Sequence, residues 1–110
     1  MILNIKNFEK ALEGAQFDKW HLFDIIDGNA GYEFRARNMP HSQMDHPKCY
    51  AVLVTIHKWP DENDTYAVTI DYKEYSNRIY SKRHTKAEIA NKNAFFNILL
   101  NAINTYEKNR

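Results

Sequence analysis

Residues 77–95, NRIYSKRHTKAEIANKNAF, hold five Lys/Arg and one acid, and they lead directly into an apolar segment. Side chains of this type do one kind of chemistry well: they hold anions, phosphates above all. Lys82 and Arg83 precede the stretch Thr85-Lys86-Ala87-Glu88, and Lys92 follows it. Thr85 and Glu88 have the spacing of a capping box, in which each side chain bonds the other residue's backbone amide at a helix start. The cations therefore gather at a predicted helix N-terminus. Lysines there oppose the helix dipole, so local stability does not explain them and a bound anion does. The competing explanation is a solvated basic helix end without a ligand.

Other constellations are weaker. His41, Asp45, His46 and Cys49, in PHSQMDHPKC, offer donor atoms that suit zinc. Their spacing matches no standard ligand pair and there is no second cysteine, so they read as a polar loop, and no metal or cofactor is expected. Cys49, at a strand start, reads as a small buried residue. His57 and His84 are candidate proton carriers, but no spacing sets a base beside a nucleophile. The chain has no nucleophile elbow, phosphate-binding glycine loop or dinucleotide fingerprint, and a non-enzymatic role follows. Trp59 with Tyr75 is a candidate stacking platform for single-stranded bases, but packing at the edge of the core is the preferred reading. The acidic loop with Asp61, Glu62 and Asp64 suits a protein partner.

The bulk properties frame these sites. A chain of 110 residues suits one domain, with three glycines, three prolines and one cysteine. No apolar run is long enough for a bilayer, and MILNIKNFEKAL lacks the features of a signal peptide, so a cytoplasmic protein without membrane contact is expected. The net charge of +1 conceals a gradient. Residues 1–30 carry −2, 31–60 carry +2, 61–75 carry −4 and 76–110 carry +5.

The elements that must position the cations follow from periodicity. Leu3, Ile5, Phe8, Leu12 and Ala15 recur at helical spacing and predict a short N-terminal helix over 3–15, ending near Gly14. WHLFDIID and YEFRARN flank GNAG; the pattern reads as helix or hairpin, with aromatic and Ile content favouring the hairpin. Tyr50, Val52, Val54 and Ile56 alternate onto one strand face. Tyr66, Val68, Ile70 and Tyr72 do the same, with Thr69, Asp71 and Lys73 facing out. Ser76-Asn77 predicts a turn into RIYSKRH. Phe95, Phe96, Ile98, Leu99, Ala102, Ile103 and Tyr106 form a broad apolar stripe on one long final helix. The fold class is α+β: a short N-terminal helix, an antiparallel sheet of three to five strands, and a long C-terminal helix packed on one face.

This order resembles the double-stranded-RNA-binding domain. SKRHTK (Ser81 to Lys86) is similar to that family's basic lead-in to its last helix, and HPKCYAVLV (residues 46–54) to its histidine, spacer, aromatic and alternating strand. The family's Gly-Pro before the histidine is replaced by Met44-Asp45. The resemblance implies that Lys82, Arg83 and Lys86 hold backbone phosphates and that His46 lies in the loop that meets the minor groove. The leading expectation is a nucleic-acid-binding module for double-stranded RNA or DNA. Lys82, Arg83, Lys86 and Lys92 would contact phosphates, with Arg35 and Arg37 as helpers. The alternative is a small inhibitor or adaptor of one host protein, of the anti-restriction or anti-CRISPR type that phages and mobile elements encode.

Overall fold

A computed structural model describes residues 10–73 and 77–110. Six strands form one antiparallel sheet in chain order: β1 (Gln16–Phe17), β2 (Trp20–Asp27), β3 (Gly31–Arg37), β4 (Ala51–His57), β5 (Thr65–Tyr72) and β6 (Arg78–Thr85). A short 3-10 turn (His41–Gln43) lies between β3 and β4. Two helices, α1 (Lys86–Ala90) and α2 (Lys92–Asn109), follow β6. The chain is thus α+β, a curled sheet with a C-terminal helix. Among the described residues no helix is long and apolar enough to cross a membrane.

Residues 20–27 are strand, not helix. Leu22 stands opposite Ala36 and Phe23 opposite Arg35, and the Gly28 N–H donates to the Gly31 carbonyl at 2.9 Å to close the turn. Gly31 has a packing reason: a Cβ there would stand 2.8 Å from the Ile56 carbonyl oxygen. β4 and β5 show the period of two that defines a sheet with one buried face. Val52, Val54, Ile56, Val68 and Ile70 are fully buried, while Ala51, Leu53, Thr55 and Thr69 stand half-buried on the outer face.

Five expectations need correction or fall partly out of view. The sheet has six strands rather than three to five, because Gln16–Phe17 folds back across Asp18 and Lys19 onto β2. Two residues are too few to show a period. The helix over 3–15 falls largely outside the described residues; residues 10–12 are helical, and Gly14 follows at φ +68. The final helix is not continuous. Asn91 (φ −84, ψ 107) separates α1 from α2, and its side chain accepts from the Ala94 N–H at 3.0 Å. An Asn side chain that caps a new helix replaces the backbone bond that would have continued the old one. Asp71 faces outward as expected but is only 4% exposed, because Arg78 grips both its oxygens at 3.1 and 3.3 Å. Of the predicted turn, Ser76 lies outside the described residues.

Helix α2 meets the sheet through Phe95, Phe96, Leu99 and Ile103, all buried. Its last turns add a polar clamp. The Tyr50 and Tyr72 hydroxyls both donate to Glu107 Oε2, at 2.5 and 2.7 Å. Lys19 lies 3.8 Å from the other oxygen. Burial pushes the Glu107 carboxyl up, but the two phenolic hydrogen bonds and the charges of Lys19 and Arg110 outweigh it, so it titrates below its ordinary 4.5. A depressed carboxylate contributes stability that is complete above pH 4.5 and is lost as pH falls through the folded value. Hydrogen bonds to charged groups set the scale: Glu107→Gln destabilises the fold by about 1.5–3 kcal/mol at neutral pH. Urea denaturation across pH 3–7 should show that the variant loses less stability on acidification than the parent, since it lacks this titrating group.

Candidate interaction site

The basic stretch does not stand at a helix mouth as one cluster. Arg78–Thr85 is the strand β6, and consecutive strand residues face opposite sides. Lys82 stands opposite the buried Val68, on the face that α2 covers; Arg83 stands opposite Ala67, on the outer face. Arg83 is also engaged. Its Nε lies 2.9 Å from Asp61 Oδ2 and 3.1 Å from Thr65 Oγ1, and its Nη2 donates to the Thr65 carbonyl at 2.9 Å. Asp61 in turn accepts from the Asn63 and Thr65 amides, both at 3.0 Å, so this acid organises the β4–β5 loop. The hydrogen bond from the Thr65 amide leads the causes that hold its carboxyl below the usual range.

The remaining predicted cations divide between two places. Lys86 and Lys92 open α1 and α2, and both are exposed. Among the described residues neither they nor Lys82 enter an ion pair. Lys82, Lys86 and Lys92 therefore border the corner where β6 turns into the helices. Arg35 and Arg37 lie on the outer face of β3, opposite Phe23 and His21. Arg37 is buried: its guanidinium lies 3.7 Å from the Phe23 ring centre and 2.8 Å from His41 Nδ1. His46 sits in the β3–β4 connection, where its Nδ1 accepts from the Lys48 amide at 3.0 Å. That connection and the start of α1 lie at opposite ends of the sheet, separated by a strand of eight residues, or about 25 Å.

The histidines and acid of the β3–β4 connection point to no ligand cage. His41, Asp45 and His46 are exposed and Cys49 is half-buried, not buried as expected. Among the described residues no three His, Cys, Asp or Glu side chains are grouped to hold a metal ion. Trp59 is 58% exposed rather than packed at the core edge. Its proposed partner Tyr75 lies outside the described residues.

The structure instead opens a groove of about 660 Å³ between β6 and α2. Its existence follows from the width of the α2 stripe. The sheet covers Phe95, Leu99 and Ile103, but Ile98, Ala102 and Tyr106, one row further round, stay half-open and line the groove. Ile79, Tyr80, Lys82 and His84 line the β6 side, and Asn101, Thr105 and Asn109 form a polar rim. The volume lies in the range of binding pockets, and an apolar floor with a few polar groups is their usual make-up.

One set of side chains that starts from the groove residues Tyr80 and His84 and ends outside it at Glu88 is not visible from sequence spacing alone. The Tyr80 hydroxyl lies 2.6 Å from His84 Nε2, and His84 Nδ1 lies 3.3 Å from Glu88 Oε2. The other Glu88 oxygen accepts from the Thr85 amide and hydroxyl at 2.9 and 3.0 Å, which completes the capping box. Two signals carried it: Tyr80 and His84 share one strand face, and the capping box brings Glu88 back to the strand end. Burial, then the charge of Glu88, holds Tyr80 above its ordinary 10. The Thr85 amide and then His84 hold Glu88 below 4.5. Phenol and carboxylate are pushed apart, so the phenol stays protonated and the line holds His84 in place rather than preparing a nucleophile.

No protein-family model, characterised protein or solved structure matches the chain.

Tyr80→Phe removes one bond to a buried imidazole and leaves its nitrogen unpartnered, at a cost of about 1–3 kcal/mol. Thermal melts should show the loss. Amide exchange should speed up in α1 and the end of β6 while β2–β4 stay protected.

Proposed function

We propose that the chain is a non-enzymatic protein-binding module, of the inhibitor or adaptor kind, and that it holds its partner along the β6–α2 face. The observation that carries this reading is the half-open Ile98–Ala102–Tyr106 row beside a sheet-edge strand. An apolar floor inside a polar rim is the anatomy of a protein interface. The exposed Trp59 adds a residue type that anchors such contacts. The cations support the same choice. Arg83 is spent on Asp61, Arg37 is stacked on Phe23, and His46 lies at the far end of the sheet. A phosphate backbone needs a converging set.

The phosphate reading rests on Lys82, Lys86 and Lys92, which are exposed and enter no ion pair among the described residues. One pair of experiments separates the two. Tagged chain captures a stoichiometric protein from host lysate after nuclease treatment, and Asn101→Trp, which fills the groove from an exposed helix position, abolishes capture while the circular dichroism stays unchanged. The opposite result is loss of all capture on nuclease treatment, with tight filter binding of duplex RNA or DNA. Under that outcome, replacing Lys82, Lys86 and Lys92 by Ala lowers the salt dependence by about one unit per lysine, and the protein-binding reading falls.

A further inference from the structure

The groove runs along a sheet edge, and that conjunction specifies a kind of partner. β6 is the last strand of the sheet and is eight residues long, with β5 on one side. Among the described residues no backbone hydrogen bond reaches its other side. Every second residue of such a strand turns its N–H and C=O outward, so β6 presents a row of unused donors and acceptors. Beside that row stands the ridge of Ile98, Ala102 and Tyr106, spaced one helical turn apart. A chain paired with β6 directs alternate side chains to one side, here onto the ridge, and the others away from it.

Charge narrows the choice. Lys82 lines the groove toward α1, and Arg110 lines it at the end of α2, where its Nη1 also donates to the Tyr72 hydroxyl at 3.4 Å and its charge acts on Glu107. Among the described residues that line it there is no carboxylate side chain. Self-pairing is disfavoured in registers that bring two copies of Lys82 together, because Lys82, unlike Arg78 and Arg83, enters no ion pair among the described residues.

We infer that β6 accepts an extended segment of a partner protein as a seventh strand, apolar where it faces α2 and acidic at its two ends. Main-chain bonds to β6 supply the pairing, the ridge takes the apolar side chains, and Lys82 and Arg110 take the flanking acids. This rests on the protein-binding reading above.

The probe is an end-capped eight-residue peptide with Asp at both ends and Val or Leu at alternate positions between them. Calorimetry with the full chain should show binding, weakened at least tenfold by Lys82→Glu and by Asn101→Trp. N-methylating one alternate set of peptide amides should abolish binding, while methylating the other set should not. A peptide with Lys in place of Asp should bind at least tenfold more weakly. The inference is overturned if the acidic peptide does not bind, if both methylated peptides bind like the parent, or if sedimentation shows a dimer that Lys82→Glu strengthens. Capture of a protein partner that Asn101→Trp abolishes, with no binding of the acidic peptide, removes the seventh strand and leaves the protein-binding reading standing. Nuclease-sensitive capture alone removes both.

Discussion

Helix α2 is apolar over a wider arc than the sheet can cover, and the character of the molecule follows from where that contact stops. Phe95, Leu99 and Ile103 go into the core; Ile98, Ala102 and Tyr106, one row further round, do not. A helix presents side chains in rows tilted to its axis, whereas a curled sheet closes on it from one side. The row at the β6 border therefore faces Ile79 and Tyr80 across the groove, with Ala102 and Tyr106 packed only partly against the core. A buried face and a half-open one share the same eighteen-residue helix.

Polar side chains fix the helix at the angle that leaves this gap. Near its C-terminal end Glu107 takes hydrogen bonds from two phenols of different strands, Tyr50 beside β4 and Tyr72 on β5. At the other end, the Asn91 cap starts α2 afresh, so its direction is not inherited from α1. Glu88 ties α1 back to His84 and Thr85 of β6. Each attachment is directional where dispersion contacts are not.

Periodicity made β4, β5 and the stripe of α2 legible, since Val52, Val54, Ile56, Val68 and Ile70 alternate without interruption. Thr85 and Glu88 marked the helix start because a capping box is a local device, written in four consecutive residues. What stayed hidden depends on partners distant in the chain or on a single residue. Asn91 breaks an otherwise helical pattern with one side chain. Asp71 is buried because Arg78, across a strand connection, neutralises it. The basic stretch was the most misleading: placed just before a helix start, Lys82, Arg83 and Lys86 gather at one point, but in a strand the first two face opposite sides. Lysine and arginine on a border strand also have a use that involves no ligand, since they discourage unwanted edge-to-edge pairing. Among the candidate site residues, Lys82 keeps a place in the groove; its neighbours there, Tyr80 and Ile98, carry no charge to draw attention.

The two borders of the sheet are unequal: β1 offers two residues, β6 offers eight. Propagating assembly requires a donor rim and an acceptor rim on the same molecule, each long enough to hold a neighbour. At the other border β1 covers only Trp20 and His21, and β2 beyond it is interrupted between Phe23 and Ile26, so among the described residues β6 is the longer regular rim. A strand added at β6 leaves behind it a border of unlike length and regularity, and this mismatch disfavours head-to-tail growth through the sheet.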